Sequence, residues 1–389
     1  MTGFNMTNTV YPLNSTNATN STTPMVMLRE TWVRAVLITL YAFVFILGLS
    51  GNILVVFVVV RNRTMQTITN IFISNLAVSD IMMCLLAVPF TPISALLDGW
   101  VFGQALCHLI PMALGVSVYV STLTSTAIAI DRYFVIVHPF KPRMRKGVCL
   151  LLIVAIWIIS ISISLPLAIY QTLEWDSDND APSCFESWPK QNARQFFTVT
   201  SLVLQYIVPC SVITYCYVNV STVLRVRAQA RSQHRRCRDR DEIEIKRKRR
   251  TNRMLIAMVC IFVVCWLPLN IVLIFTEYKR TLDNWEYYEH LFLSAHVIAM
   301  SSTIYNPFLY AWMNENFKKE FKQVVPGLFY IFGQSSRAGN AATASQYTTV
   351  ETTVVAARNG NLKPNENDAA FDSQTETVAL NVRPKEDED

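Results

Sequence analysis

Charge is what this sequence has least of. Of 389 residues only 16% are Asp, Glu, Lys or Arg, while 52% are hydrophobic. A soluble domain carries about a quarter charged residues. The charges are also clumped, leaving most of the middle of the chain nearly free of them. Other absences narrow the reading further. No internal repeat is apparent, which counts against an inverted-repeat transporter. No nucleophile–base pair and no metal-ligating cluster stands out, so nothing points to an enzyme or to a structural metal.

What is present is a set of seven apolar runs, near 33–60, 68–96, 105–137, 148–170, 196–224, 254–276 and 288–313. Each has the roughly 20 apolar residues that a helix needs to cross the hydrocarbon core. The fold class that follows is an all-α membrane protein, a seven-transmembrane helix bundle at 33–313. The first run lies past residue 30 and is too long for the core of a secretory signal. No cleavable signal stands before it, so it is expected to act as its own insertion signal.

Lys and Arg set the orientation. Arg61 and Arg63 follow span one, and Lys141, Arg143, Arg145 and Lys146 follow span three. The segment 225–253 between spans five and six is dense in base ("RRCRDRDEIEIKRKRR"). The other loops carry Lys190, Arg194, Lys279 and Arg280 and far more acid. The positive-inside rule places the basic loops in the cytoplasm and the N-terminus outside. A basic run between two spans is a poor nucleic-acid signal, so no nucleic-acid partner is expected. The tail 1–32 agrees with this orientation. Asn5, Asn14, Asn17 and Asn20 each head an Asn-X-Thr triplet, clustered on the side assigned as extracellular. The segment 326–389 is rich in Ser, Thr and Asn, ends in "KEDED" and reads as a disordered cytoplasmic tail.

Most of the nine cysteines fall inside spans, as small buried apolar residues. Cys107, at the outer end of span three, and Cys184, between spans four and five, face an oxidising compartment instead. A disulfide between them is expected, pinning the loop over the mouth of the bundle.

Polar groups inside spans are expensive and point to function. Asp80 stands in "NLAVSD", Asn52 follows Gly51, Asn306 opens "NPFLY", and span three offers Ser121. One carboxylate among hydroxyl and amide oxygens suits a small hard cation such as sodium; interhelical packing glue is the competing reading. Pro89, Pro166, Pro209, Pro268 and Pro307 each remove a backbone hydrogen bond and tend to kink a helix. "FVVCWLP" places Trp266 at such a kink with Phe262 one turn below. A bulky ring beside a hinge is a two-state packing element.

Together "GNILVV", "NLAVSD", "DRY" (Asp131, Arg132, Tyr133), Trp157, Pro209 with Tyr217, "CWLP" and "NPFLY" resemble the rhodopsin-like G-protein-coupled receptors, in the right order over about 37–325. Within that family the sequence is similar to neuropeptide Y and neuropeptide F receptors. "CHLIPMALGVSVYVSTLTSTAIAIDRY", the preceding "DGWVFG", Gln205 and His296 carry that likeness. The resemblance implies a plasma-membrane receptor for an extended peptide ending in an amidated Arg-aromatic pair. It implies that Glu277, nine residues past Pro268, receives the arginine. Thr91, Leu114, Gln205, Leu273, Phe292 and His296 would complete the pocket. Leu114 stands where such receptors usually carry glutamine, and Leu273 where many carry asparagine, so the polar clamp is thinner here.

The residues support a cationic ligand on their own account. Glu174, Asp176, Asp178, Asp180, Glu186, Glu277, Asp283, Glu286 and Glu289 make an acidic outer rim, though much of it reads as solvated loop charge. Span seven has no lysine for a retinal Schiff base, and Leu114 fills the place of an amine receptor's aspartate. A lipid receptor remains the alternative; a transporter lacks a charged route outward from Asp80.

The adjacent Asp131 and Arg132 break an apolar run, where an ion pair adds little stability. The resemblance makes them a latch. Activation swings the foot of span six outward and frees Arg132 for a heterotrimeric G protein, of the inhibitory class, with Tyr217 and Tyr310 turning in. Lys248 stands where many receptors place an acid to restrain Arg132, so a looser resting state and some ligand-independent signalling are expected. A cation at Asp80 would oppose agonist by linkage. After "NPFLY", residues 314–325 read as a short amphipathic helix at the membrane surface, with Phe317 and Phe321 four apart beside Lys318, Lys319 and Lys322. No cysteine follows it to carry a palmitoyl anchor. Thr348, Thr349, Thr352 and Thr353 are candidate phosphorylation sites, with receptor kinases and arrestin as further partners and inner-leaflet lipid beside the basic loop.

Overall fold

Six helices among the described residues are long and apolar enough to cross a membrane: Thr31–Arg61, Ile68–Leu96, Gly103–Val137, Lys146–Ile169, Asn192–Gln229 and Lys248–Glu277. The seventh apolar run is built differently, as two shorter helices, Tyr288–Met300 and Ser302–Met313. The structure, a computed structural model, describes residues 24–97, 99–176, 181–232, 238–278 and 288–324. The four Asn-X-Thr acceptors, the tail threonines and the rim charges Asp178, Asp180, Lys279, Arg280, Asp283 and Glu286 lie outside the described residues.

The bundle is apolar outside and polar inside. Phe43, Ile46, Phe57, Leu151, Ile158 and Val264 stand on its outer surface. Asn52, Ser79, Asp80, Ser117, Ser121 and Thr124 are buried. Water as solvent would select the reverse, so this surface belongs in hydrocarbon. Span three is central, packing against spans two, four and five. A polar seam ties three of these helices together. Trp157 Nε1 donates to Asn75 Oδ1 at 2.9 Å, and Asn75 Nδ2 donates to Thr124 Oγ1 at 2.8 Å.

The prolines have unequal effects. Pro89 separates the helices Ile68–Leu86 and Phe90–Leu96. A π-helical turn, Val203–Ile207, precedes Pro209. Pro268 lies within the continuous helix Arg238–Tyr278. At Pro307 the missing N–H leaves the carbonyl of Thr303 without its helical partner. Asn52 of span one supplies the replacement, its Nδ2 donating to that carbonyl at 2.9 Å. Asn52 is thus the donor that lets a proline stand in span seven.

That approach requires Gly48, one helical turn before Asn52. A Cβ there would lie 2.8 Å from both Cys84 Sγ and Thr303 Oγ1. Gly48→Ala is expected to lower stability by about 1–3 kcal/mol through overpacking. The melting temperature of detergent-purified protein measures it; an unchanged value would mean that the two side chains rotate away freely.

At one end of the bundle lies a two-stranded antiparallel hairpin, β1 (Gln171–Asp176) and β2 (Ala181–Glu186), with Leu173 opposite Cys184. The Cys107–Cys184 disulfide fixes β2 to span three. Trp100 N–H donates to the Pro182 carbonyl at 2.6 Å, and Ser187 N–H to that of Tyr170 at 2.7 Å. Gly103, the first residue of span three, has φ +79°, which an L side chain would strain. At the other end, Asn314 caps the helix Glu315–Val324, its Oδ1 accepting from Asn316 N–H. Phe317 and Phe321 are buried there, and Phe317 stacks on Tyr310.

Candidate functional site

The hairpin roofs a cavity of about 160 Å³. Spans two, three, six and seven and the hairpin wall it, bringing together Thr91, Leu114, Leu273, Phe292 and His296. Besides Ser183, the hairpin contributes two longer polar side chains, Gln171 and Glu186. Each has a buried oxygen, Gln171 Oε1 and Glu186 Oε1, without a hydrogen-bond partner among the described residues. Burial raises the Glu186 carboxyl above the usual range, and Glu277 adds to the rise. A hydrogen bond from Trp188 and the guanidinium of Arg194 oppose it.

His296 is buried and held from span one, with Tyr41 Oη 2.8 Å from its Nδ1. Nothing in the sequence near Tyr41 marks that role. Gln205 does not face this cavity. It lines a smaller neighbour with Phe262, Trp266 and Leu273, because it sits inside the π-helical turn Val203–Ile207.

Glu277 also departs from a simple pocket carboxylate. It is not among the residues lining the large cavity, and its side chain is 0% exposed. Arg194, in the first turn of the helix Gln191–Leu202, donates from Nε to Glu277 Oε2 at 2.8 Å. Glu277 Oε1 has no partner among the described residues. The sequence counts Arg194 merely as one rim base; the structure makes it the cover on Glu277.

Below the cavity Phe262 packs on Trp266, ring centroids 5.8 Å apart, and Trp266 Nε1 donates to Ser302 Oγ of span seven at 3.2 Å. Beneath them a small cavity gathers Asp80, Ser121, Ser302 and Asn306. Asn306 Nδ2 donates to Asp80 Oδ2 at 3.0 Å, and Ser121 shares a hydrogen bond with Ser79. Hard oxygen donors around one carboxylate fit a small hard cation, which Asp80 and Ser121 would hold.

At the end opposite the hairpin, Arg132 Nη2 donates to Asp131 Oδ2 at 2.8 Å and also to Thr69 Oγ1 of span two. Thr69 is a partner the sequence does not advertise. Tyr217 and Tyr310 are buried, and neither Tyr310 Oη nor Arg132 Nε has a partner among the described residues. Tyr133 instead packs edge-on against Phe134 and His138. The foot of span six is tied on two sides. Arg249 donates to the Leu224 carbonyl of span five; Arg250 pairs with Glu315 at 2.6 Å and donates to the Trp312 carbonyl at 2.8 Å.

Residues 51–310 match the family described as "7 transmembrane receptor (rhodopsin family)". The chain is 36% identical over 295 residues to "Neuropeptide Y receptor type 2" of Homo sapiens, covering 74% of this chain and 76% of that one. The protein of the same name from Cavia porcellus is 37% identical over 297 residues, 75% and 76% of the two chains. That of Gallus gallus is 35% identical over 295 residues, 74% and 75%.

Proposed function

The chain belongs to the rhodopsin family of seven-transmembrane receptors, signalling proteins of the plasma membrane, and from that premise we propose that its ligand is an amidated peptide ending in Arg-Phe or Arg-Tyr. In this reading the hairpin end faces outward, the N-terminus is extracellular, and the Arg132 end meets a heterotrimeric G protein of the inhibitory class. The observation that carries it is the pairing of a buried carboxylate, Glu277, already holding one guanidinium, with an apolar and aromatic cavity close by. A guanidinium next to an aromatic ring is what such a site recognises. The name of the similar receptors supports a peptide.

Screening is direct. Cells displaying the receptor are treated with amidated Arg-Phe and Arg-Tyr peptides, with cAMP and G-protein activation as readouts. Activation at low concentration by a peptide of this class, lost when the arginine is replaced by citrulline, is the expected result. Surface expression with no response to any such peptide would remove the reading and leave a lipid as the next candidate.

The resting state follows from the same geometry. Asp131 and Thr69 hold Arg132, and Arg250 ties span six to the end of span seven where Lys248 cannot restrain Arg132. Because the Arg250–Glu315 pair is solvent-exposed, its net worth is about 1 kcal/mol at most. Arg250→Ala is therefore expected to raise basal G-protein activation severalfold, and at most about fivefold. Unchanged basal activity would show that Arg250 restrains nothing.

A further inference from the structure

Two carboxylates and one guanidinium meet at the hairpin end. Arg194 sits on Glu277 Oε2 at 2.8 Å, and its charge also reaches Glu186. Glu186 Oε2 accepts from Trp188 Nε1 at 2.8 Å, which fixes that carboxylate at the cavity wall. Each carboxylate keeps one buried oxygen without a partner among the described residues, Glu277 Oε1 and Glu186 Oε1. Among the described residues the cluster thus has acceptor capacity for more cation than Arg194 alone supplies. Arg194 is 27% exposed, so it is the member with room to move; Glu277 has none.

We propose that Arg194 is a tethered occupant of the ligand's cation site, holding Glu277 until a guanidinium of the ligand takes that carboxylate and Arg194 passes to Glu186. This rests on the reading of Glu277 as the acceptor of the ligand's arginine. The exchange conserves the number of ion pairs at Glu277 and adds one at Glu186. The buried carboxylate is therefore never left bare, which would be the costly state. Competition by a tethered cation also lowers the apparent affinity of any ligand that must displace it. Arg194 is then a selectivity residue: weak cations do not displace it.

The test has a ligand-independent arm. Purified Arg194→Gln receptor is expected to melt below the native protein and to be restored by millimolar methylguanidinium but not by methylurea. The Arg194→Gln/Glu277→Gln double variant gains nothing from either. Arg194→Lys, which keeps a cation, is expected to melt near the native value. Absence of rescue in the single variant, or equal rescue in the double variant, overturns the proposal.

The second arm uses a peptide ending in Arg-Phe-amide and its citrulline analogue. Arg194→Gln is expected to tighten the arginine peptide about fivefold, leave the analogue unchanged, and have no effect in the Glu277→Gln background. Weakened or unchanged binding of the arginine peptide overturns the exchange. If the native receptor binds no such peptide, the ligand reading fails, and the methylguanidinium arm still decides whether Glu277 is an exchangeable guanidinium site.

Discussion

A receptor carrying serine at both Cys107 and Cys184 is expected to lose about 2–4 kcal/mol of stability and more than tenfold in ligand affinity. The disulfide joins residues 77 apart and so encloses all of span four, Lys146–Ile169, within its loop. The chain-entropy relation for a loop of that length gives about 4.5 kcal/mol. Helices already inserted in a bilayer have less freedom to lose, so the lower range is the better expectation. The affinity loss has a separate cause. Gln171, Ser183 and Glu186 line the cavity from the hairpin. Without the disulfide, that wall is held by the backbone bonds of Trp100 and Ser187 and by the packing of Leu173 against Trp100 and Ile110. Thermal unfolding of detergent-purified protein and ligand binding to cells measure the two effects. The single Cys107→Ser variant should fare worse than the pair, since it leaves a reactive thiol at Cys184. Equal melting of native and double-serine receptors would mean that hairpin register, two hydrogen bonds and this packing suffice.

The polar interior was legible in the sequence because a carboxylate or amide inside an apolar run has no cheap explanation; Asp80, Asn52 and Asn306 each announce themselves that way. Their partners were not. Asn52 meets the Thr303 carbonyl 251 residues away, and no local pattern encodes that. The same limit explains the prolines. Each deletes one hydrogen bond, but whether the helix breaks depends on what satisfies the freed carbonyl. Pro268 sits in an unbroken helix and Pro307 within Ser302–Met313, while the run at 288–313, read as one span, proves to be two helices that part at Ser301, away from either proline. Phase is a third limit. A π-helical turn inserts a residue, and at 3.6 residues per turn that rotates what precedes it by about 100°. Gln205 falls inside such a turn and lines the smaller cavity beside Phe262 and Trp266. Arg194 and Glu277, 83 residues apart, were visible as charges of opposite sign but not as a pair.

Glu277→Gln is expected to weaken an arginine-ended amidated peptide by at least about tenfold, or 1.4 kcal/mol. The two side chains have the same shape, so packing is unchanged and the comparison isolates charge. A hydrogen bond to a charged group has a net worth of about 1.5–3 kcal/mol. Glu277 is fully enclosed, which places its bond in a low-dielectric setting and favours the upper part of that range. Arg194 works the other way. In the native receptor the ligand gains the carboxylate only by displacing a resident guanidinium, so the measured loss falls short of the full bond. The two terms bracket the result between about tenfold and 150-fold. Charge also leaves a signature that shape cannot. The citrulline analogue should bind native and Glu277→Gln receptors alike, giving a coupling energy near the whole loss. If both peptides weaken equally, Glu277 acts by shaping the wall, and the ligand's cation must be received elsewhere. Stability provides a check in the same experiment. Removing a buried charge relieves its desolvation, and the exposed part of Arg194 can turn to water or to Glu186. The variant should therefore melt close to the native receptor while binding its peptide far more weakly, and only that combination marks Glu277 as a recognition group and not a structural one.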